Sequence, residues 1–173
     1  RIGKAVEINA LWYSALRSLQ EWLERVGLNS RRTREKADRV AVSFRARFWD
    51  SGLGHLYDVV DGPRGDDAAL RPNQLLALSL AHPLLHGEIA RSIVSRVREE
   101  LLTEFGMRTL SPRHPDYAAR YEGGPLERDG GYHQGTVWPW PIGAYVDAHL
   151  HAFGSADGLE GVLDGLLGSL DTA

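Results

Sequence analysis

The chain has no cysteine, only two lysines (Lys4 and Lys36) and a single methionine, Met107, in 173 residues. Without cysteine there are no disulfides, no thiolate metal sites and no thiol nucleophile, which fits a reducing compartment. Long apolar runs are lacking too. Nothing approaches the roughly 20 residues that span a bilayer, and no signal-peptide pattern opens the chain, so a cytoplasmic location without membrane insertion is expected. An excess of one charge is also missing. The formal net charge is −3 and the pI is near 6.2, so there is no basic field to attract nucleic acid. The near-absence of lysine beside abundant arginine reads first as GC-rich codon usage. The seven histidines give no ligand cluster: His149 and His151 point apart on a helix, and Pro83 interrupts the spacing of His82 and His86. No metal or cofactor is expected.

What is present is ordinary globular material, 43% hydrophobic and of single-domain length. Apolar residues recur at three- and four-residue steps from Ala5 to Val26, through Ile8, Leu11, Trp12, Ala15, Leu16, Leu19 and Leu23, and Gly27 closes that helix. A second helix is expected from Thr33, as its cap, to Phe48. His55 to Val60 reads as a short strand. Further helices are expected over Asn73–Ala81 after Pro72, His86–Glu104, Ile142–Phe153 and, dotted with glycine, Leu159–Leu170. Six helices with long connections describe an all-α array of antiparallel hairpins. The segment from Phe105 to Trp140 shows neither helical nor strand rhythm. Loops of that length inside a compact domain are usually functional or disordered, and this one is too aromatic for disorder.

That segment ends in Tyr132-His133-Gln134-Gly135-Thr136-Val137-Trp138-Pro139-Trp140. Flat apolar faces beside bidentate polar groups are what a sugar site needs, because a pyranose ring presents C–H faces to indole and hydroxyls to paired donors and acceptors. Ahead of it, Tyr121-Glu122-Gly123-Gly124-Pro125-Leu126-Glu127-Arg128-Asp129 supplies three carboxylates, of which at least one is expected to pair with Arg120 or Arg128. Glycoside hydrolysis normally uses two carboxyl groups, 5–5.5 Å apart in retaining enzymes and 6.5–9.5 Å apart in inverting ones. Arg71-Pro72-Asn73-Gln74 opens a helix with polar side chains beside free N–H groups. Glu7, Asn9 and Trp12 occupy the first turns of the first helix.

Together, Arg1-Ile2-Gly3-Lys4-Ala5-Val6-Glu7-Ile8-Asn9-Ala10-Leu11-Trp12-Tyr13, Arg71 to Gln74, Tyr121 to Asp129 and Tyr132 to Trp140 resemble the glycogen debranching enzyme family, specifically its amylo-α-1,6-glucosidase region. Ser14, Gly130, Gly131 and Pro141 depart from the family pattern. The resemblance implies an (α/α)6 barrel and hydrolysis of α-1,6-linked glucose in glycogen-type glucans with inversion, without metal or cofactor. It implies a glucose pocket lined by Asn9, Trp12, Arg71, Asn73, Gln74, Tyr132, His133, Gln134 and Trp138, with Glu7, Glu122 and Asp129 in polar support. It also implies that the family's general acid precedes Arg1 and its general base follows Ala173. Residues 1–173 are thus expected to be about half of the catalytic domain, binding substrate without a catalytic pair of their own and inactive alone. Half a barrel leaves apolar helix faces open, so either a partner copy, by self-association, or more chain is expected to cover them. Two alternatives stay open: a non-catalytic helical module for oligosaccharide or protein, and a related α/α-barrel glucosidase or trehalase.

Overall fold

The structure, a computed structural model, describes residues 2–170, and within the last helix the side chains of 160–162, 164, 165 and 168 only. Arg1, which opens the first motif, lies outside the described residues, as do 171–173. About half of the chain is helical. Helix α1 (Val6–Arg25) and helix α2 (Arg31–Phe48) pack against each other as an antiparallel hairpin. Gly27, in the left-handed region at φ 72°, turns the chain between them while the Leu28 amide donates back to the Leu23 carbonyl. Helix α2 begins two residues before the cap expected at Thr33. The Asn29 side-chain oxygen accepts from the Arg31 amide, so the start is fixed by a residue outside the helix.

A 3₁₀ turn, Pro72–Leu75, runs into the single-turn helix α3 (Leu76–Ser79). Helix α4 (Gly87–Leu101) and helix α6 (Ile142–Phe153) pack on each other, and α6 also covers α3. A short helix α5 (Pro125–Gly131) lies inside the stretch that showed no rhythm, and α7 (Glu160–Leu170) closes the described chain. The core runs through these contacts. Val6, Ala10, Leu56, Leu75, Leu78, Ile93, Val97, Leu101, Met107 and Tyr145 are all essentially inaccessible.

The all-α expectation is corrected by three small antiparallel sheets. In the first, β1 (Lys4–Ala5) pairs with β4 (Val59–Gly62), which pairs with β5 (Gly65–Asp67). In the second, β2 (Trp49–Asp50) pairs with β3 (His55–Leu56). The third joins β6 (Leu102–Thr103), β7 (Gly106–Arg108) and β8 (Val137–Trp138). The single strand read over His55–Val60 is thus split between two sheets. These strands are two to four residues long, too short to print a period-2 pattern. The seven helices among the described residues cannot by themselves make a ring of twelve.

Helix α1 is apolar on two sides. Val6, Ala10, Tyr13 and Leu16 are buried, while Ile8, Trp12, Ala15, Leu19, Trp22 and Val26 form an exposed stripe, with Trp22 63% and Val26 68% accessible. An exposed apolar stripe of this length is a surface suited to further packing.

Two aspartates brace the sheets, Asp50 within the turn between β2 and β3 and Asp61 between β1, β4 and helix α2. Asp50 accepts from the Leu53 and Gly52 amides and the Tyr57 hydroxyl, and these hydrogen bonds, the Leu53 amide foremost, hold its carboxyl below the ordinary value of 3.8. Lys4, and then Arg47, do the same for Asp61. A carboxyl whose folded pKa is depressed stabilises the fold above its unfolded value and loses that contribution as pH falls through the folded one. The melting temperature should therefore hold above about pH 5 and fall as pH drops below the ordinary carboxylate range. In acid titrations followed by circular dichroism, Asp50→Asn should flatten part of that fall. A wild-type curve that keeps its full melting temperature down to about pH 2 would contradict the assignment.

Candidate functional site

Strand β7 is what fixes the aromatic run in space. Met107 pairs with Trp138 and Arg108 with Val137, so the run is hydrogen-bonded to a strand whose Met107 is fully buried. The Thr109 amide donates to Thr136 O (3.1 Å), and the Ala118 amide donates to Gln134 O (2.6 Å). Two glycines permit this closeness. A Cβ on Gly106 would lie 2.5 Å from Trp138 O. A Cβ on Gly135 would meet Ala118 O at 2.5 Å and the Tyr117 ring at 2.6 Å, and both residues have positive φ. The Gly135 amide also donates to the buried Thr109 hydroxyl at 2.9 Å.

Around this frame lies a cavity of about 500 Å³, within the usual range for a small-molecule site. The 3₁₀ turn contributes Pro72 and Asn73, helix α5 contributes Asp129 and Gly130, and the aromatic run contributes Tyr132, His133, Gln134, Trp138 and Trp140. Arg71, Thr109 and Pro141 complete the wall. Tyr132 is wedged edge-on against Trp138 (4.9 Å between ring centres) and His133 (4.9 Å), and Tyr121 backs it at 6.0 Å. Trp140 stands at the rim, 70% accessible. Among the described residues lining the cavity, Asp129 is the one carboxylate.

Arg71 spends its donors on the protein. Its guanidinium donates to Thr109 O (3.0 Å), His133 O and Gln134 Oε1 (2.7 Å), and its Nε lies 3.8 Å from the buried carboxylate of Asp58. Asn73 Nδ2 donates to the other oxygen of Asp58 at 2.9 Å. Gln74 is 2% accessible; it accepts from the Leu56 amide and donates to Arg71 O.

Of the residues expected from sequence, the cavity brings together Arg71, Asn73, Asp129, Tyr132, His133, Gln134 and Trp138. It does not include Gln74, which serves the backbone beneath it, or Glu122, which is exposed and 3.7 Å from Arg120. Glu7 is half-buried in the first turn of α1. Asn9 donates to Ala5 O and borders a separate hollow between α1 and α2, and Trp12 belongs to the exposed stripe. Sequence reasoning missed Thr109 and Asp58. Thr109 sits in the rhythm-free stretch with no flag of its own. Asp58, set in an apolar run of strand-like residues, was the available signal, since a carboxylate there needs a buried partner.

Because Gly135 has no room for a methyl group, Gly135→Ala should displace the 132–138 segment. It should lower the melting temperature by several degrees, as a strained substitution costing about 1–3 kcal/mol does. Hydrogen exchange should accelerate in that segment and leave α1 and α2 unchanged. Uniform exchange across the chain would show that Gly135 is not what holds the loop.

The sequence profile of the amylo-alpha-1,6-glucosidase family matches residues 1–167. The glycogen debranching enzyme of Saccharomyces cerevisiae is 29% identical over 187 aligned positions, which cover 87% of this chain and 12% of that protein. The chain thus spans about an eighth of the length of this relative. With the profile running over nearly all of the chain, and over every motif on which the resemblance rested, this protein belongs to the amylo-alpha-1,6-glucosidase family.

Proposed function

We propose that the chain is part of the catalytic domain of a glycoside hydrolase acting on α-1,6 branch linkages of glycogen-type glucans with inversion. In this reading the cavity between α5, β8 and the 3₁₀ turn holds a glucosyl unit. Residues 1–173 would be about half of an (α/α)6 barrel, carrying substrate contacts rather than the acid/base pair. The observation that carries it is the wall itself: two indoles and a phenol beside Asn73, His133, Gln134 and Asp129, in a chain of this family. Trp138 and Trp140 offer faces to a pyranose, while the carboxamides and Asp129 address its hydroxyls. Inverting hydrolysis needs two carboxyl groups on opposite sides of the bond. Asp129 alone can orient or accept a hydrogen bond, and it cannot be both acid and base in the single displacement of an inverting mechanism.

The test is titration of the chain with isomaltose, followed by tryptophan fluorescence and calorimetry, beside an assay of glucose release from a limit dextrin. Binding should be saturable, and Trp138→Ala should weaken it by at least about tenfold. The chain alone should release no glucose. Glucose release by residues 1–173 would overturn the division of labour and point to Asp129 with Glu122 or Glu127. No binding at millimolar sugar would remove the cavity from the site.

The stripe on α1 bears on how the isolated chain behaves. Ile8, Trp12, Ala15, Leu19, Trp22 and Val26 follow the alternating four- and three-residue steps of a coiled-coil seam, which a second copy could match. Covering each large side chain is worth about 1.5–3 kcal/mol, against an association cost of about 4–15 kcal/mol. Four large members and a valine put weak, concentration-dependent dimers within reach. Sedimentation should show a dimer at high concentration and a monomer for Leu19→Lys/Trp22→Lys with unchanged helicity. A wild type that stays monomeric throughout would exclude self-association by this face.

A further inference from the structure

Asp58 lines no part of the cavity, yet it is the fixed point from which the polar side of the cavity is hung. Its side chain is 1% accessible. Its backbone is clamped on both sides: the Val6 amide donates to Asp58 O (3.0 Å), and the Asp58 amide donates to Asp67 O (2.8 Å). The carboxylate therefore cannot drift without moving β1, β5 and the start of α1. One of its oxygens accepts from Asn73 Nδ2 (2.9 Å), and the other faces Arg71 Nε at 3.8 Å.

The consequence lies in two carboxamides. An amide side chain can turn either its oxygen or its nitrogen to a ligand, and its other contacts decide which. Asn73 has its nitrogen donating to Asp58, which leaves its oxygen as the acceptor a ligand can use. Gln134 has its oxygen accepting from Arg71 (2.7 Å), which leaves its NH2 as the donor. Arg71 also grips His133 O and Thr109 O, so the same guanidinium sets the main chain beside Gln134. A partly buried guanidinium in a fixed fork needs a counter-charge, and Asp58 supplies it.

We propose that Asp58 is a positioning residue for ligand recognition, acting through Arg71 and Asn73 to fix one acceptor and one donor on the cavity wall, a pair matched to adjacent hydroxyls of a pyranose. The ligand class rests on the function proposed above, while the positioning itself does not.

The experiment compares wild type, Asp58→Asn and Arg71→Lys by isomaltose titration, by nitrogen-resolved NMR of the Gln134 and Asn73 side-chain amides, and by hydrogen exchange over 132–138. Asp58→Asn keeps the shape but can also donate to Asn73, so the acceptor–donor order is lost. Both variants should weaken binding by about tenfold or more, as expected for misplacing a polar pair. Both should move both amide signals and speed exchange in the loop. Should Asp58→Asn not fold, Arg71→Lys decides, since it keeps the charges and removes the fork. Folded variants with unchanged amide signals, loop exchange and affinity would overturn the proposal. If wild type binds no sugar, the functional reading fails. The amide and exchange changes then still decide whether Asp58 positions the wall.

Discussion

The contact between Asp58 and Arg71 is the joint on which the rest of the site depends. It links the small sheet of β1, β4 and β5 to the aromatic run more than sixty residues further along the chain. Breaking a buried charge pair by removing one partner costs about 3–5 kcal/mol, because the other charge is left stranded. Arg71 is 16% accessible and the 3.8 Å separation is long for a hydrogen bond, so the cost here falls toward the lower end. The pair matters less as stabilisation than as alignment. The Gln134 carboxamide and two main-chain carbonyls take their directions from one planar group, and the carboxylate beside that group directs the Asn73 carboxamide itself.

A second constraint works from the opposite side. Strand β7 lies so close to β8 that Gly106 must be glycine, and Gly135 must be glycine for the next turn to pass Tyr117 and Ala118. The loop is thus gripped by backbone pairing on one edge and by Arg71 on the other. Tyr132 fills the space between, edge-on to Trp138 and His133. An aromatic-rich loop with this many anchors behaves as a preorganised wall, which spares a ligand the entropy of ordering it.

Much of this was legible in the residues. The 3.6-residue period gave the long helices α1, α2, α4 and α6, because each has a full buried face to print. Gly27 and Pro72 marked their turns. The aromatic run was recognisable because its residue types have few uses other than a binding wall or a core anchor, and here they line the cavity. Helix α5 was not legible: Pro125–Gly131 has no buried residue, so it carries no apolar period, and two glycines end it. Beyond the strand read over His55–Val60, the strands were not legible: they are two to four residues long, and Lys4 with Val60 and Met107 with Trp138 pair across long sequence distances. Glu7, Asn9 and Trp12 were grouped with the cavity through a motif. A motif fixes which residues occur together, and says nothing of which side of a helix faces the site.

That last point bears on how α1 should be understood. Its first-turn residues split between the core, a hollow against α2 and the exposed stripe. A helix carrying an apolar face it cannot bury within the described residues is built for more packing than they supply, and the relative that this chain matches is some eight times longer than the stretch aligned. The cavity bears on the same question: its wall is aromatic and polar and holds one carboxylate among the described residues, where the proposed hydrolysis would need two. On the function proposed above, the exposed apolar face and the single cavity carboxylate share one explanation: further structure packs along α1 and brings carboxylates to the open side of the cavity.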